Sequence, residues 1–211
     1  MNKVQLTKLN LGCGSQLPDG WINVDYAMGA RFAKIPFFRA INRKIKIFET
    51  ADWSEKIYIH NLNKRFPWAD SSIDIIYSSH TLEHFSKEEG RRLLAECHRV
   101  LRKDGIIRIV VPDLRYDIDE YIAGRIKADD FVENLHVLYS TSNNALKRHL
   151  YTFIQFQHKC MYDTPRLLAI LSETGFEAAS RAAFDSDISD IRLVEAETRT
   201  GNAVIVEGRK R

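Results

Sequence analysis

Leu9-Asn10-Leu11-Gly12-Cys13-Gly14-Ser15, followed by Gly20-Trp21-Ile22-Asn23-Val24-Asp25, is the stretch that decides the fold. Its first residues read as a buried strand that breaks into a glycine turn, and Asp25 ends the next apolar stretch. Glycines at 12 and 14 permit a sharp backbone turn and the close approach of a ligand. Asp25 then offers two acceptor oxygens to ribose hydroxyls. That is how a nucleoside-binding α/β domain begins, although glycine turns after strands also occur without a ligand.

Spacing narrows the ligand class. A dinucleotide fingerprint needs a third glycine where this chain has Leu17, and an acid about 20 residues beyond the glycines. Asp25 comes only 11 residues after Gly14. Eight residues separate Gly12 from Trp21, Pro18 and Gly20 among them, whereas a parallel crossover with a full helix needs about a dozen or more. The first helix is therefore expected to be a turn or absent. Its N-terminus is where a pyrophosphate would sit, so the expected ligand is a nucleoside without phosphates.

The chain has 211 residues and 45% hydrophobic content, enough for one domain spanning 1–211 with its own core. Cys13, Cys97 and Cys160 are odd in number and form no C-x-x-C pair, which argues against a disulfide frame or a zinc knuckle and fits a reducing cytoplasm. No apolar run reaches membrane-spanning length. The formal net charge of +3 is too small to indicate nucleic acid as a partner. Within a predicted insertion at about 27–56, however, Arg31, Lys34, Arg39, Arg43, Lys44 and Lys46 alternate with apolar residues and no acid intervenes from 31 to 47. Such a pattern suits peripheral membrane contact, a grip on an anionic acceptor, or a helix packed on the sheet with a solvated basic face.

Downstream, Ile57–His60 and Ile73–Tyr77 alternate as strands. Ser86 and Glu89 form a capping box ahead of Leu93, Leu94, Cys97, Val100 and Leu101 at helical spacing, and Lys103-Asp104-Gly105 ends the run. Ile106–Val111 reads as a buried strand closed by Pro112. Residues at about 114–161 are helical in pattern and polar, a cover over the sheet. Thr164 is the expected N-cap of a further helix, with Pro165 at its first position and Gly175 at its exit. Strand-like residues follow from Phe176, and Ala203–Val206 after the Thr200-Gly201-Asn202 turn is the last strand. Alternating strands and helices indicate a single α/β sandwich.

The chain resembles the class I S-adenosylmethionine-dependent methyltransferases, in particular the small bacterial and archaeal group related to the methyltransferase type 11 domain. The residues that carry the resemblance are Leu11-Gly12-Cys13-Gly14, Gly20–Asp25, Asn61-Leu62, Phe66-Pro67-Trp68, Ser78-Ser79-His80-Thr81-Leu82-Glu83-His84, Arg99–Gly105 and Val110–Asp113, in this order and spacing. The resemblance implies a Rossmann-like, seven-stranded, mostly parallel sheet with the last strand antiparallel, helices on both faces and a helical cover between strands 5 and 6. It implies S-adenosylmethionine as cofactor. Leu11, Gly12, Cys13 and Gly14 would then contact its methionine and ribose portion, Asp25 the ribose hydroxyls, and Asn61 and Leu62 the adenine. Ser79 and His80 would stand at its reactive end. Relatives usually carry aspartate at 61 and often an acid near 10. Asn10 and Asn61 here weaken charge-assisted contacts but keep hydrogen-bonding capacity.

Methyl transfer to a hydroxyl gains from a base that takes the departing proton. His84, His158 and Tyr116 are the candidates, since they follow the fourth strand, the cover and the fifth strand. Helix capping or core hydrogen bonding is the competing explanation for each histidine. Two other functions fit parts of the chain. One is an S-adenosylmethionine-binding protein without transfer activity. The other is a zinc hydrolase, because His80-Thr81-Leu82-Glu83-His84 spells H-x-x-E-H; against it, the string follows a strand directly and precedes the Ser86 cap, which leaves no long helix to carry both histidines. No resident metal is therefore expected. A cover bearing Tyr116, Tyr121, Tyr139, His149, Tyr151 and His158 suits a small-molecule or glycan-type acceptor, methylated at oxygen or nitrogen.

Overall fold

Near-continuous apolar runs such as Ile106–Val111 and Ala203–Val206 call for one sheet covered on both faces. The computed structural model describes residues 6–35, 54–138 and 157–211. Its strands are β1 Lys8–Leu11, β2 Ile22–Asp25, β3 Tyr58–Ile59, β4 Ile73–Ser79, β5 Leu101–Pro112, β6 Phe176–Ser180 and β7 Ala203–Lys210. They form one seven-stranded sheet in the order β3-β2-β1-β4-β5-β7-β6. β1 to β5 are parallel, and β7 runs antiparallel to both β5 and β6. The strand order reverses between β1 and β4, and a crevice opens at their carboxyl ends. No helix interrupts residues 12–21, as the short crossover requires.

Helices among the described residues are α1 Met28–Ala33, α2 Lys87–Val100, α3 Leu114–Ile122, α4 Ala128–Asn134, α5 Thr164–Glu173 and α6 Ile191–Val194, with 3₁₀ turns at Leu82–His84 and Glu197–Arg199. One face of the sheet presents Leu9, Leu11, Ile107, Ile109, Val111, Val204 and Val206 to Leu93, Leu94 and Cys97 of α2 and Leu167 and Leu171 of α5. The other presents Ile75, Tyr77, Val110 and Ile205 to Trp21, Ile188, Ile191 and Val194. Ile73 and Ile76 share a face although they stand three positions apart. The register shift between Ile73 and Ile75 against β5 absorbs the odd step.

Arg108 lies on the second face, fully buried, and each of its five N–H groups has an acceptor. Nε and Nη2 donate to Glu195 at 2.9 and 3.0 Å, and Nη1 donates to Glu207 at 3.2 Å. The carbonyls of Asp185 and Ala182 take the remaining two at 2.8 and 3.0 Å. The N–H groups of Phe184 and Asp187 donate to the same glutamates. A charge within the otherwise apolar run Ile106–Val111 thus ties the 182–195 connection to the sheet.

Several local expectations change. The capping box at Ser86 and Glu89 is present, but α2 ends at Val100. Leu101, apolar at helical spacing, has extended backbone and pairs with Ile73 as the first residue of β5. Lys103-Asp104-Gly105 therefore lies inside the strand and does not end the helix. The cap of α5 is Asp163, not Thr164: its carboxylate accepts the Arg166 N–H at 2.8 Å, Thr164 is the first helical residue and Pro165 follows it. The cover begins with α3 and α4, neither of which buries a residue fully; Tyr139, His149 and Tyr151 lie outside the described residues. Of the basic segment, Arg31 is exposed on α1, which buries Gly29, Ala30 and Ala33. Arg39, Arg43, Lys44 and Lys46 lie outside the described residues. No described helix is long and apolar enough to cross a membrane.

Candidate functional site

The glycine turn is built from its own backbone. The N–H groups of Gly12 and Cys13 both donate to the Val24 carbonyl, at 2.9 and 3.1 Å. Gly14 donates to Asp25 Oδ2 at 2.8 Å, while Ala27 donates to Asp25 Oδ1 at 2.7 Å. With these amides already engaged, the turn cannot wrap a pyrophosphate, in agreement with the missing helix. Each Asp25 oxygen keeps a further lone pair for a ribose hydroxyl. Asn10, buried below the turn, donates from Nδ2 to the Gln16 carbonyl at 3.1 Å and to Asn23 Oδ1 at 3.0 Å. It organises the loop.

Both glycines have left-handed backbone, φ +68° at Gly12 and +56° at Gly14. At Gly12 the space a Cβ would need is filled from within, since that atom would stand 2.0 Å from Thr81 Oγ1. The absence of a side chain at 12 thus admits Thr81. At Gly14 the nearest neighbour of such a Cβ is Arg199 Nη2, at 3.7 Å. Leu11 and Cys13 are buried, and burial, with Asp25 adding to it, pushes the Cys13 thiol up to about 12.

Past β3, the His60 N–H donates to the Asp25 carbonyl at 3.2 Å. Asn61 Oδ1 accepts the Asn63 N–H at 2.9 Å, which holds the side-chain oxygen in place with one lone pair to spare. Leu62 is buried beside it. At the end of β4, Ser79 is buried, and its carbonyl accepts from Thr81 Oγ1 at 3.1 Å and from Arg199 Nη1 at 3.4 Å. Asp25 ends β2, Asn61 and Leu62 follow β3, and Arg199 stands beside Gly14. A diol acceptor, an apolar wall and one cation fit a nucleoside that carries an amino acid.

His80 follows β4 with left-handed backbone. Its Nε2 lies 2.9 Å from the Arg199 carbonyl and its Nδ1 3.5 Å from Glu83 Oε1. Both ring nitrogens face acceptors, which favours the imidazolium. Burial pulls its pKa down, but Glu83 and the Arg199 carbonyl outweigh burial and raise it. His84, in the 3₁₀ turn, has Nδ1 3.1 Å from the Gln157 carbonyl. The rings of His84 and His136 lie 5.0 and 5.4 Å from that of His158, centroid to centroid. Burial holds His158 below the ordinary histidine range, partly opposed by Glu83 and reinforced by His84 and His136.

His80, Tyr116, Asp117, His136, His158 and Asn202 line a cavity of about 450 Å³ at the carboxyl ends of β4 and β5. The structure therefore brings His80, His158 and Tyr116 to one cavity and places His84 behind His158. Arg199 and His136 were not singled out by the sequence; Glu83 was, as part of the H-x-x-E-H string, and it lies buried among the histidines. Arg199 had only one signal, a basic residue next to the turn that feeds the last strand. His80 and His84 share no helix, so the H-x-x-E-H string lacks the geometry of its hydrolase form.

Residues 9–109 match the family model described as the methyltransferase domain. A solved S-adenosylmethionine-dependent methyltransferase from Methanosarcina mazei has the same fold at 15% identity and TM-score 0.52, over 97% of this chain and 92% of that one. Another, from Archaeoglobus fulgidus, aligns at 17% identity and TM-score 0.50, over 97% and 86%. No curated protein matches the chain in sequence.

Proposed function

We propose that the chain, whose residues 9–109 match the methyltransferase-domain model, uses S-adenosylmethionine to methylate an oxygen or nitrogen of a small-molecule or glycan-type acceptor. When bound, the cofactor supplies an electrophilic methyl group on a sulfonium. Asp25 takes the ribose hydroxyls, Asn61 and Leu62 flank the adenine, and Leu11, Gly12, Cys13 and Gly14 form the floor under the methionine portion. Arg199, beside Gly14, meets the carboxylate of the methionine portion, a charge-assisted contact. Ser79 and His80 end the strand at the reactive end of the crevice.

The observation that carries the acceptor class is the cavity that His80 lines, whose wall includes hydroxyl, carboxylate, amide and imidazole groups. Such groups orient a hydroxylated molecule by hydrogen bonds. His158 and Tyr116 face the acceptor, and His84 supports His158. Together they hold the acceptor atom and assist the departure of its proton, which leaves positioning as the main source of rate.

The test is release of S-adenosylhomocysteine by the purified protein with labelled S-adenosylmethionine and a panel of sugars, sugar phosphates and small hydroxylated or amino compounds. Label in a panel member is the expected result. Binding of S-adenosylmethionine without turnover across that panel would overturn the acceptor assignment and favour a binding protein.

A further inference from the structure

Glu83 is the least expected side chain beside the cavity. Its carboxylate is 1% exposed, and neither oxygen has a well-formed hydrogen bond among the described residues. A buried carboxylate left in that state costs several kcal/mol. The groups placed near it are imidazoles: His80 Nδ1 at 3.5 Å and His158 Nε2 at 3.9 Å from Oε1. His158 Nδ1 is likewise buried without a hydrogen-bond partner among the described residues.

Backbone contacts build this arrangement from two distant parts of the chain. Lys159 and Cys160 both donate their N–H groups to the Glu83 carbonyl, at 2.7 and 3.1 Å, and His158 donates to the His136 carbonyl at 3.0 Å. His158 is thereby held over the 3₁₀ turn that carries Glu83 and His84. A carboxylate oxygen of Glu83 and one nitrogen each from His84 and His158 lie within 4.8 Å of one another.

Two imidazoles and one carboxylate form a ligand set for zinc and its neighbours, whereas magnesium and calcium take oxygen ligands. Ligand atoms about 2.0–2.1 Å from a tetrahedral ion stand roughly 3.3 Å apart. Small side-chain rotations would close the 3.9 Å separation of Glu83 and His158 to that span. Three protein ligands also leave a coordination position for an outside oxygen, the arrangement of reactive sites as opposed to closed structural ones.

We propose that Glu83, His84 and His158 bind one divalent transition-metal cation of the zinc type, with a remaining position for an oxygen ligand at the wall of the cavity. The set differs from the H-x-x-E-H string, because His80 turns to the Arg199 carbonyl and the third ligand arrives from residue 158. It goes beyond methyl transfer and does not depend on the acceptor. It also departs from the expectation of no resident metal, which considered only ligands close together in sequence.

The test uses the full-length, tag-free protein, stripped with EDTA and titrated with ZnCl₂ by calorimetry and with Co²⁺ by visible absorption. Neither cofactor nor acceptor is present. One equivalent of zinc, with the intense Co²⁺ absorption of a low-coordinate site, is the expected result. His158→Ala and His84→Ala should each weaken binding by about ten-fold or more, with S-adenosylmethionine affinity as the check that the fold survives. Glu83→Gln should do the same. No stoichiometric uptake, or uptake indifferent to both histidine substitutions in folded protein, would overturn the proposal. Either outcome leaves the cofactor reading standing.

Discussion

Asp25 Oδ2 accepts the N–H of Gly14 at 2.8 Å, so the last residue of β2 fixes the turn that leaves β1. The same carboxylate holds Ala27 through its other oxygen at 2.7 Å. Asp25 therefore shapes the crevice as well as offering acceptors to it. One side chain does both because β1 and β2 are adjacent and parallel, with Leu11 paired to Val24, which brings their carboxyl ends side by side.

Arg199 should discriminate between ligands with and without a carboxylate. Arg199→Ala is expected to weaken S-adenosylmethionine by about ten-fold, the scale of one charge-assisted hydrogen bond. Affinity for 5′-methylthioadenosine, which lacks that carboxylate, should hardly change. Calorimetry with both ligands checks this. Equal losses for the two would show that Arg199 acts only on the shape of the turn.

Arg108→Met should destabilise the fold by about 3–5 kcal/mol, because Glu195 and Glu207 would lose their buried counter-ion. Denaturant unfolding measures the loss. A cost below about 1 kcal/mol would mean that the network contributes little.

Acid should weaken the packing of α2 on β6. The His98 ring meets Phe176 edge-on at 5.1 Å, and burial, followed by the charge of Lys210, lowers its pKa below the ordinary value. With the unfolded value near about 6.5, the unfolded chain binds more protons between the two pKa values. Stability is then full above about pH 6.5 and falls as pH drops through the folded pKa. His98→Gln should lose less stability than the parent between pH 7 and 5, read from urea midpoints. An equal or larger loss would contradict this.

Local and periodic features were the ones legible in the sequence. The absent first helix followed from eight residues between Gly12 and Trp21, and the Ser86–Glu89 box marked the start of α2 because capping is a contact between near neighbours. The last strand was equally clear. Where an apolar residue satisfies both patterns, as Leu101 does, the pairing with Ile73 decides, and only the fold supplies it. Asp163 displaced Thr164 as a cap because two good capping residues are adjacent and geometry selects one. Arg108 and the pairing of Glu83 with His158 were hidden for a different reason. Their partners lie 87 and 99 residues away for Arg108, and for Glu83 the most distant histidine is at 158. No local pattern shows that a buried charge will find its partner.

The central claim is that the crevice at the end of β1 and β2 binds S-adenosylmethionine through Asp25. Calorimetric titration of the parent chain and of Asp25→Ala tests it most directly, with thermal unfolding of each as a control for folding. Binding at one site by the parent, weakened by about ten-fold or more in the folded variant, is the predicted result. Absence of binding by the parent, or equal affinity in the two proteins, would contradict the assignment.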